Sequence, residues 1–209
     1  MALGYAPVIP PLAEHEQSLL AGQGEATGHH VFRVADPLAP QMLALRADMT
    51  GQVARIATGA LASSPRPLRL CYAGYTLRTS PEALKTRRQH TQVGIERFGD
   101  TQTASVAELL AISVHALESA GVQGITIDLH FPSVMEALLA ELPEDQRAAV
   151  REAAKLKDIS RLRRLEADRI AEMMDFAGPA EGALKQLAGV EHAAVAKAVV
   201  ALQELTVAL

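Results

Sequence analysis

Six side chains on three short segments have the types and spacing to hold a small amino-bearing ligand. Asp48 and Thr50 lie within Leu45–Arg55, Arg78 ends the segment Arg69–Arg78, and Arg88, Gln92 and Glu96 lie within Arg88–Gly99. Strand residues alternate between faces, so Gln92 and Glu96, four apart, share a face with Gly94 and His90. The missing side chain at Gly94 leaves room between a carboxylate and an amide. If the sheet brings Asp48 alongside, two carboxylates, an amide and the Thr50 hydroxyl can hold an α-ammonium and a second N–H group. Arg78, on an inner strand, is the counter-charge for a carboxylate or phosphate, and Arg88 is a further basic group of that kind.

The same residues also have purely structural uses. Asp48 and Thr50 suit the N-terminus of the helix that follows them. Gln92 and Glu96 suit the solvated face of an edge strand. Lys85, Arg87 and Arg88 suit a solvated loop, and the mixed charges of Glu152–Glu172 suit ion pairs along helix faces. His29 and His30 have no second ligand pair at metal spacing, so neither a metal site nor a cofactor is expected. Local reasoning alone ends at a small-ligand pocket on an antiparallel sheet.

The elements that must position these groups fall into two halves. In the first, Tyr5–Ile9 reads as a strand stopped by Pro10 and Pro11, and 12–21 as a short helix ended by Gly22 and Gly24. His30–Val34 and Leu43–Arg46 read as paired strands. Asp48 or Thr50 starts a helix running to about Ala62, with Val53, Ile56, Ala57 and Ala60 on one face. Leu68–Leu77 and Gln89–Phe98 form an antiparallel hairpin with a long polar connection, 79–87, and long hairpin loops are uncommon without a function. Thr103–Ala120 is a helix with an apolar stripe of Val106, Leu109, Leu110, Val114 and Leu117, and Gly124–His130 is one more strand. From Pro132 the pattern is helical throughout, with spans near 133–142, 144–156, 158–175, 180–188 and 190–208. The expected organisation is an α+β core with an antiparallel sheet over residues 1–132 and a helical appendage over 133–209.

The 209 residues are 49% hydrophobic and 21% charged, which is globular and excludes a disordered or collagen-like chain. Aromatics are only 3%, so aliphatic side chains must build the core. The net charge of −4 gives no global basic field, and nucleic acid is not an expected partner. The single cysteine, Cys71, cannot form an internal disulfide. The apolar run 190–209 is broken by Glu191, His192, Lys197, Gln203 and Glu204, so it is not a membrane span. A cytoplasmic protein is expected.

Taken together, the three segments resemble the class II histidyl-tRNA synthetase core, and more closely its non-catalytic paralogue family, the ATP phosphoribosyltransferase regulatory subunits. Leu45–Ala57 is similar to that family's LRPDMTPQIARI stretch, although synthetases tend to have Glu at the place of Asp48. Pro67–Gly74 resembles the regulatory subunits' version of motif 2, and Gln92–Gly99 the following QxGxExxG strand. The resemblance extends from Gly4 and Tyr5 through Pro10 and Pro11 to Lys157 and Asp158. It implies a class II synthetase-like antiparallel sheet flanked by helices. It also implies that Asp48, Thr50 and Gln92 fall where a synthetase holds the histidine α-ammonium, and Glu96 where it contacts the imidazole. Arg78 falls at the motif 2 arginine.

The departures separate the two relatives. An acidic residue usual two places after the motif 2 arginine is Ser80 here, and an aromatic usual after the Arg-Gln pair is His90. The sequence contains no RGLDYYTG-like segment, no motif 3 and no anticodon-binding domain, so aminoacylation is not expected of it. It also starts at the motif 1 strand, without that motif's helix. The chain is accordingly expected to be truncated at both ends, as a fragment or a reduced form. The resemblance implies a hetero-oligomer with the short-form ATP phosphoribosyltransferase catalytic subunit and L-histidine as effector; a histidyl-tRNA synthetase fragment is the alternative.

Overall fold

The computed structural model describes residues 3–21, 30–79 and 87–208. Gly22 and Gly24, expected to end the first helix, and Lys85 in the hairpin connection lie outside the described residues. The chain divides into two compact units, Met1–Thr101 and Gln102–Leu209.

The first unit holds two three-stranded sheets. In one, β1 (Ala6–Pro7) pairs parallel with β5 (Leu68–Leu77), which pairs antiparallel with β6 (Gln89–Phe98). In the other, β4 (Met42–Leu45) lies between β2 (Ala13–His15) and β3 (Phe32–Ala35), antiparallel to both. The helix expected over 12–21 is therefore shorter. Residues Ala13–His15 take ladder bonds from β4 instead, and only α1 (Glu16–Leu20) coils. A polar start to that segment offered no helical stripe strong enough to outweigh a partner strand.

The hairpin follows the expected boundaries, and its register fixes everything that matters below. Tyr72 stands opposite Gly94, Gly74 opposite Gln92, and Leu70 opposite Glu96. Directly opposed residues share a face, so these six side-chain positions form one patch. Helix α2 (Thr50–Thr58) packs its buried Val53 and Ala57 onto this hairpin, with Met49, Leu70 and Tyr72 completing the core. Burial of each large apolar side chain in that cluster is worth roughly 1.5–3 kcal/mol. A second cluster, Leu19, Val31, Ala44 and Ala47, closes α1 against β4.

The second unit is helical: α3 (Thr103–Ser119), α4 (Pro132–Ala140), α5 (Glu144–Lys155), α6 (Ile159–Arg164), α7 (Asp168–Asp175), α8 (Ala180–Leu187) and α9 (Ala193–Ala208). The expected span 158–175 is two helices. Glu166 takes a left-handed φ of 56° between them, and the flanking Ala167 is buried. The N-cap Asp158 starts the first of them by accepting a hydrogen bond from the Arg161 backbone N–H at 2.9 Å.

Two expectations for this unit need correction. Gly124–His130 is not a strand: it forms no ladder among the described residues, and its apolar alternation has no partner edge to pair with. The stripe on α3 is only partly covered, with Val106 44% and Leu117 45% exposed. Helix α3 packs with α9 inside the second unit. Among the described residues, no helix is long and apolar enough to cross a membrane, and no group of His, Cys, Asp and Glu is placed to hold a metal.

Candidate functional site

The turn between β4 and α2 brings Asp48 and Thr50 to the hairpin face that carries Gln92 and Glu96. All four join one chain of hydrogen bonds. Asp48 Oδ2 accepts from Gln92 Nε2 at 2.9 Å, and Asp48 Oδ1 accepts from the Thr50 backbone N–H at 2.8 Å. Gln92 Oε1 in turn accepts from the Met49 backbone N–H at 3.0 Å, so both ends of the amide are fixed. The N-cap of α2 is Met49 rather than Asp48 or Thr50, and no side chain caps it. Asp48 instead gives one oxygen to the first helical N–H, that of Thr50, and the other to Gln92.

The other half of the chain runs through a residue that the sequence did not single out. The Tyr72 hydroxyl donates to Glu96 Oε1 at 3.2 Å and lies 3.1 Å from Thr50 Oγ1. Tyr72 is 6% exposed, with its ring lying across Gly94 on the opposing strand. A Cβ at Gly94 would collide with that ring and its hydroxyl. The space that Gly94 leaves is thus filled by Tyr72, not left open for a ligand. The only sequence signal for this was the pairing of an aromatic with a glycine across the hairpin.

Burial pushes the Tyr72 phenol above its ordinary 10.0. The hydrogen bond with Thr50 opposes that shift, and the charges of Glu96 and Asp48 reinforce it.

A second unanticipated residue, Arg46, supports the site from below. Its guanidinium is 6% exposed and donates to the carbonyls of Pro10 and Pro11, and from Nε to Tyr75 O at 2.7 Å. Gln52, 1% exposed, donates to Pro11 O at 2.8 Å. A Cβ at Gly74 would strike the Arg46 guanidinium, so the glycine opposite Gln92 is the opening through which Arg46 passes. Burial lowers the pKa of Arg46, and the negative charge of Glu14 counters the shift.

The two candidate anion-binding arginines part company. Arg78 Nε donates to the carbonyl of Ala47 at 3.4 Å, which keeps it at the Asp48 end of the site. Arg88 is exposed, stacks its guanidinium 5.8 Å from the Phe32 ring centroid, and lines a shallow cleft with Tyr75, Arg87 and His90. Among the described residues, Arg88 makes no hydrogen bond to the Asp48–Glu96 chain. Chemically, the assembled groups are two carboxylates, an amide and two hydroxyls, a set that favours a cationic ligand rich in N–H donors.

The fold is that of a class II synthetase-like domain. Residues 1–209 match the histidyl-tRNA synthetase family, and the chain belongs to that family. It is 39% identical over 199 residues to the ATP phosphoribosyltransferase regulatory subunit of Rhodospirillum centenum, covering 93% of this chain and 52% of that protein. It is 42% identical over 193 residues to the protein of the same name from Paramagnetospirillum magneticum, covering 90% and 51%. The chain thus spans about half the length of these curated relatives.

Among solved structures, the ATP phosphoribosyltransferase regulatory subunit/histidyl-tRNA synthetase from Bacillus halodurans matches with a TM-score of 0.78 at 20% identity, covering 99% of this chain and 56% of that one. A chain of the ATP phosphoribosyl transferase (HisG:HisZ) complex from Thermotoga maritima matches with a TM-score of 0.69 at 18% identity, covering 97% and 70%. These likenesses establish the class II synthetase-like fold.

Proposed function

We propose that this chain carries the effector-binding part of a non-catalytic regulatory subunit of ATP phosphoribosyltransferase. In this reading it associates with the short-form catalytic subunit, supports its activity and conveys feedback inhibition by L-histidine. Asp48, Thr50 and Gln92 hold the histidine α-ammonium, and Glu96 takes a ring N–H. Arg78, at the Asp48 end, meets the ligand carboxylate, and Arg88 is a second anion contact. The observation that carries the reading is the convergence of Asp48, Thr50, Gln92 and Glu96 into one hydrogen-bonded chain. The names of the curated relatives support the choice of a regulatory subunit over a synthetase. The fold shared with a chain of the Thermotoga maritima complex supports a catalytic partner.

The test is phosphoribosyl-ATP formation by a short-form catalytic subunit, with and without this chain, across a histidine titration. Stimulation that histidine reverses is the expected result, and Asp48→Ala and Glu96→Ala should remove the histidine sensitivity. A folded chain that neither stimulates nor responds to histidine overturns the reading.

A further inference from the structure

We infer that Tyr72 is a positioning residue that makes Glu96 a single, directed acceptor, so that the site distinguishes one ring nitrogen of its ligand from the other. The inference rests on the histidine reading of the site and adds a residue and a selectivity to it.

The argument follows the protons. An ionised carboxylate only accepts, so the one phenolic proton of Tyr72 points at Glu96 Oε1, 3.2 Å away. With its proton committed, the phenol oxygen can only accept at its other contact. The Thr50 hydroxyl, 3.1 Å away, must therefore donate to it. The Thr50 proton is then also spent, and its oxygen offers the ligand lone pairs alone. Asp48 likewise accepts from both sides, at Oδ1 and Oδ2. Each of these three groups therefore faces a ligand as an acceptor, and a ligand must arrive as a donor of N–H bonds.

Tyr72 also fixes direction. Glu96 Oε1 is held by the phenol, while Oε2 makes no hydrogen bond among the described residues. A carboxylate pinned at one oxygen presents the other along one line. The phenol itself cannot drift, because its ring is 6% exposed and lies over Gly94, where even a methyl group would collide with it. An imidazole has two nitrogens, and a pinned acceptor bonds to whichever one lies on that line. Free rotation of Glu96 would let it follow either nitrogen.

The experiment compares the intact chain with Tyr72→Phe, which keeps the ring over Gly94 and removes only the hydroxyl. Calorimetric titrations use L-histidine and its two ring N-methyl isomers, 1-methyl-L-histidine and 3-methyl-L-histidine, and thermal melts confirm that the variant is folded. The intact chain should bind L-histidine and one methyl isomer, and reject the isomer whose methyl group meets Glu96. Tyr72→Phe should weaken L-histidine by roughly tenfold, the scale of one hydrogen bond to a charged group. It should also bring the two isomers to within a few-fold of each other.

A folded Tyr72→Phe with unchanged affinity and an unchanged isomer ratio overturns the inference while leaving the histidine reading intact. Weaker binding with the isomer ratio preserved also overturns it, because that pattern is packing without direction. An intact chain that binds none of the three overturns both the reading and the inference.

Discussion

The two compact units fill their interiors with different chemistry. In Gln102–Leu209 the large core cluster is aliphatic, built from side chains such as Leu138, Leu139, Val150, Leu162, Ile170 and Val195. Its charges stay outside in pairs such as Arg151–Glu136, Arg169–Glu141 and Lys185–Glu181. In Met1–Thr101 the buried set includes Arg46, Gln52, Thr76 and Tyr72, with glycines placed where side chains cross the hairpin. An aliphatic core stabilises by area and tolerates small shifts. A buried polar core stabilises little on balance, but it fixes groups in place because each must keep its partner. The second arrangement suits a site, and the first suits a support.

The contrast can be broken or sharpened by substitution. The largest effect is expected for Leu139→Ala, which removes a 1% exposed side chain from the helical unit. It should cost about 2–5 kcal/mol in urea denaturation while L-histidine affinity stays unchanged. Gly94→Ala comes next. It forces the Tyr72 ring off the hairpin at a cost of about 1–3 kcal/mol, and titration calorimetry should show L-histidine binding lost outright. A stability loss without a binding loss would erase the distinction between the two interiors.

An alkaline effect should be smaller and confined to the first unit. Tyr72 has its pKa raised above 10.0 in the folded state, so the fold binds its proton more tightly than the unfolded chain does. That stability is present in full below the ordinary value and is lost as pH rises through the raised one. Denaturation midpoints should therefore fall above about pH 10, and the decline should shrink in Tyr72→Phe. Smallest of all is Lys185→Ala. Both members of that pair are mostly exposed, at 76% and 86%, and its loss should change stability by no more than about 0.5 kcal/mol.

Much of the candidate site's assembly was legible in the sequence because its parts lie on elements with strong local signals. The hairpin strands show clear alternation and end where expected, at Leu68–Leu77 and Gln89–Phe98. The residues before α2 carry a short polar cluster ahead of an apolar helical stripe. What stayed hidden depends on pairing at long range. Arg46 reads as one more charge at a strand end until Gly74, far along the chain, is seen to admit it. Tyr72 reads as a core aromatic until register sets it opposite Gly94. Gly124–His130 shows the converse, since its alternation is strand-like but its pairing is absent among the described residues. Alternation states a preference, and only a neighbouring edge turns it into a ladder.

The Arg46 clamp has a kinetic meaning as well as a structural one. Its guanidinium joins Pro10, 36 residues before it, to Tyr75, 29 residues after it. Neither carbonyl can be reached until the intervening loops have closed, so the expectation is a late-forming clamp, checked by Arg46→Ala unfolding faster while folding at the same rate. A contact made after the folding barrier leaves the rate of folding alone and slows the rate of escape. By that logic Arg46 would govern how long the Asp48–Glu96 arrangement, once made, keeps its shape.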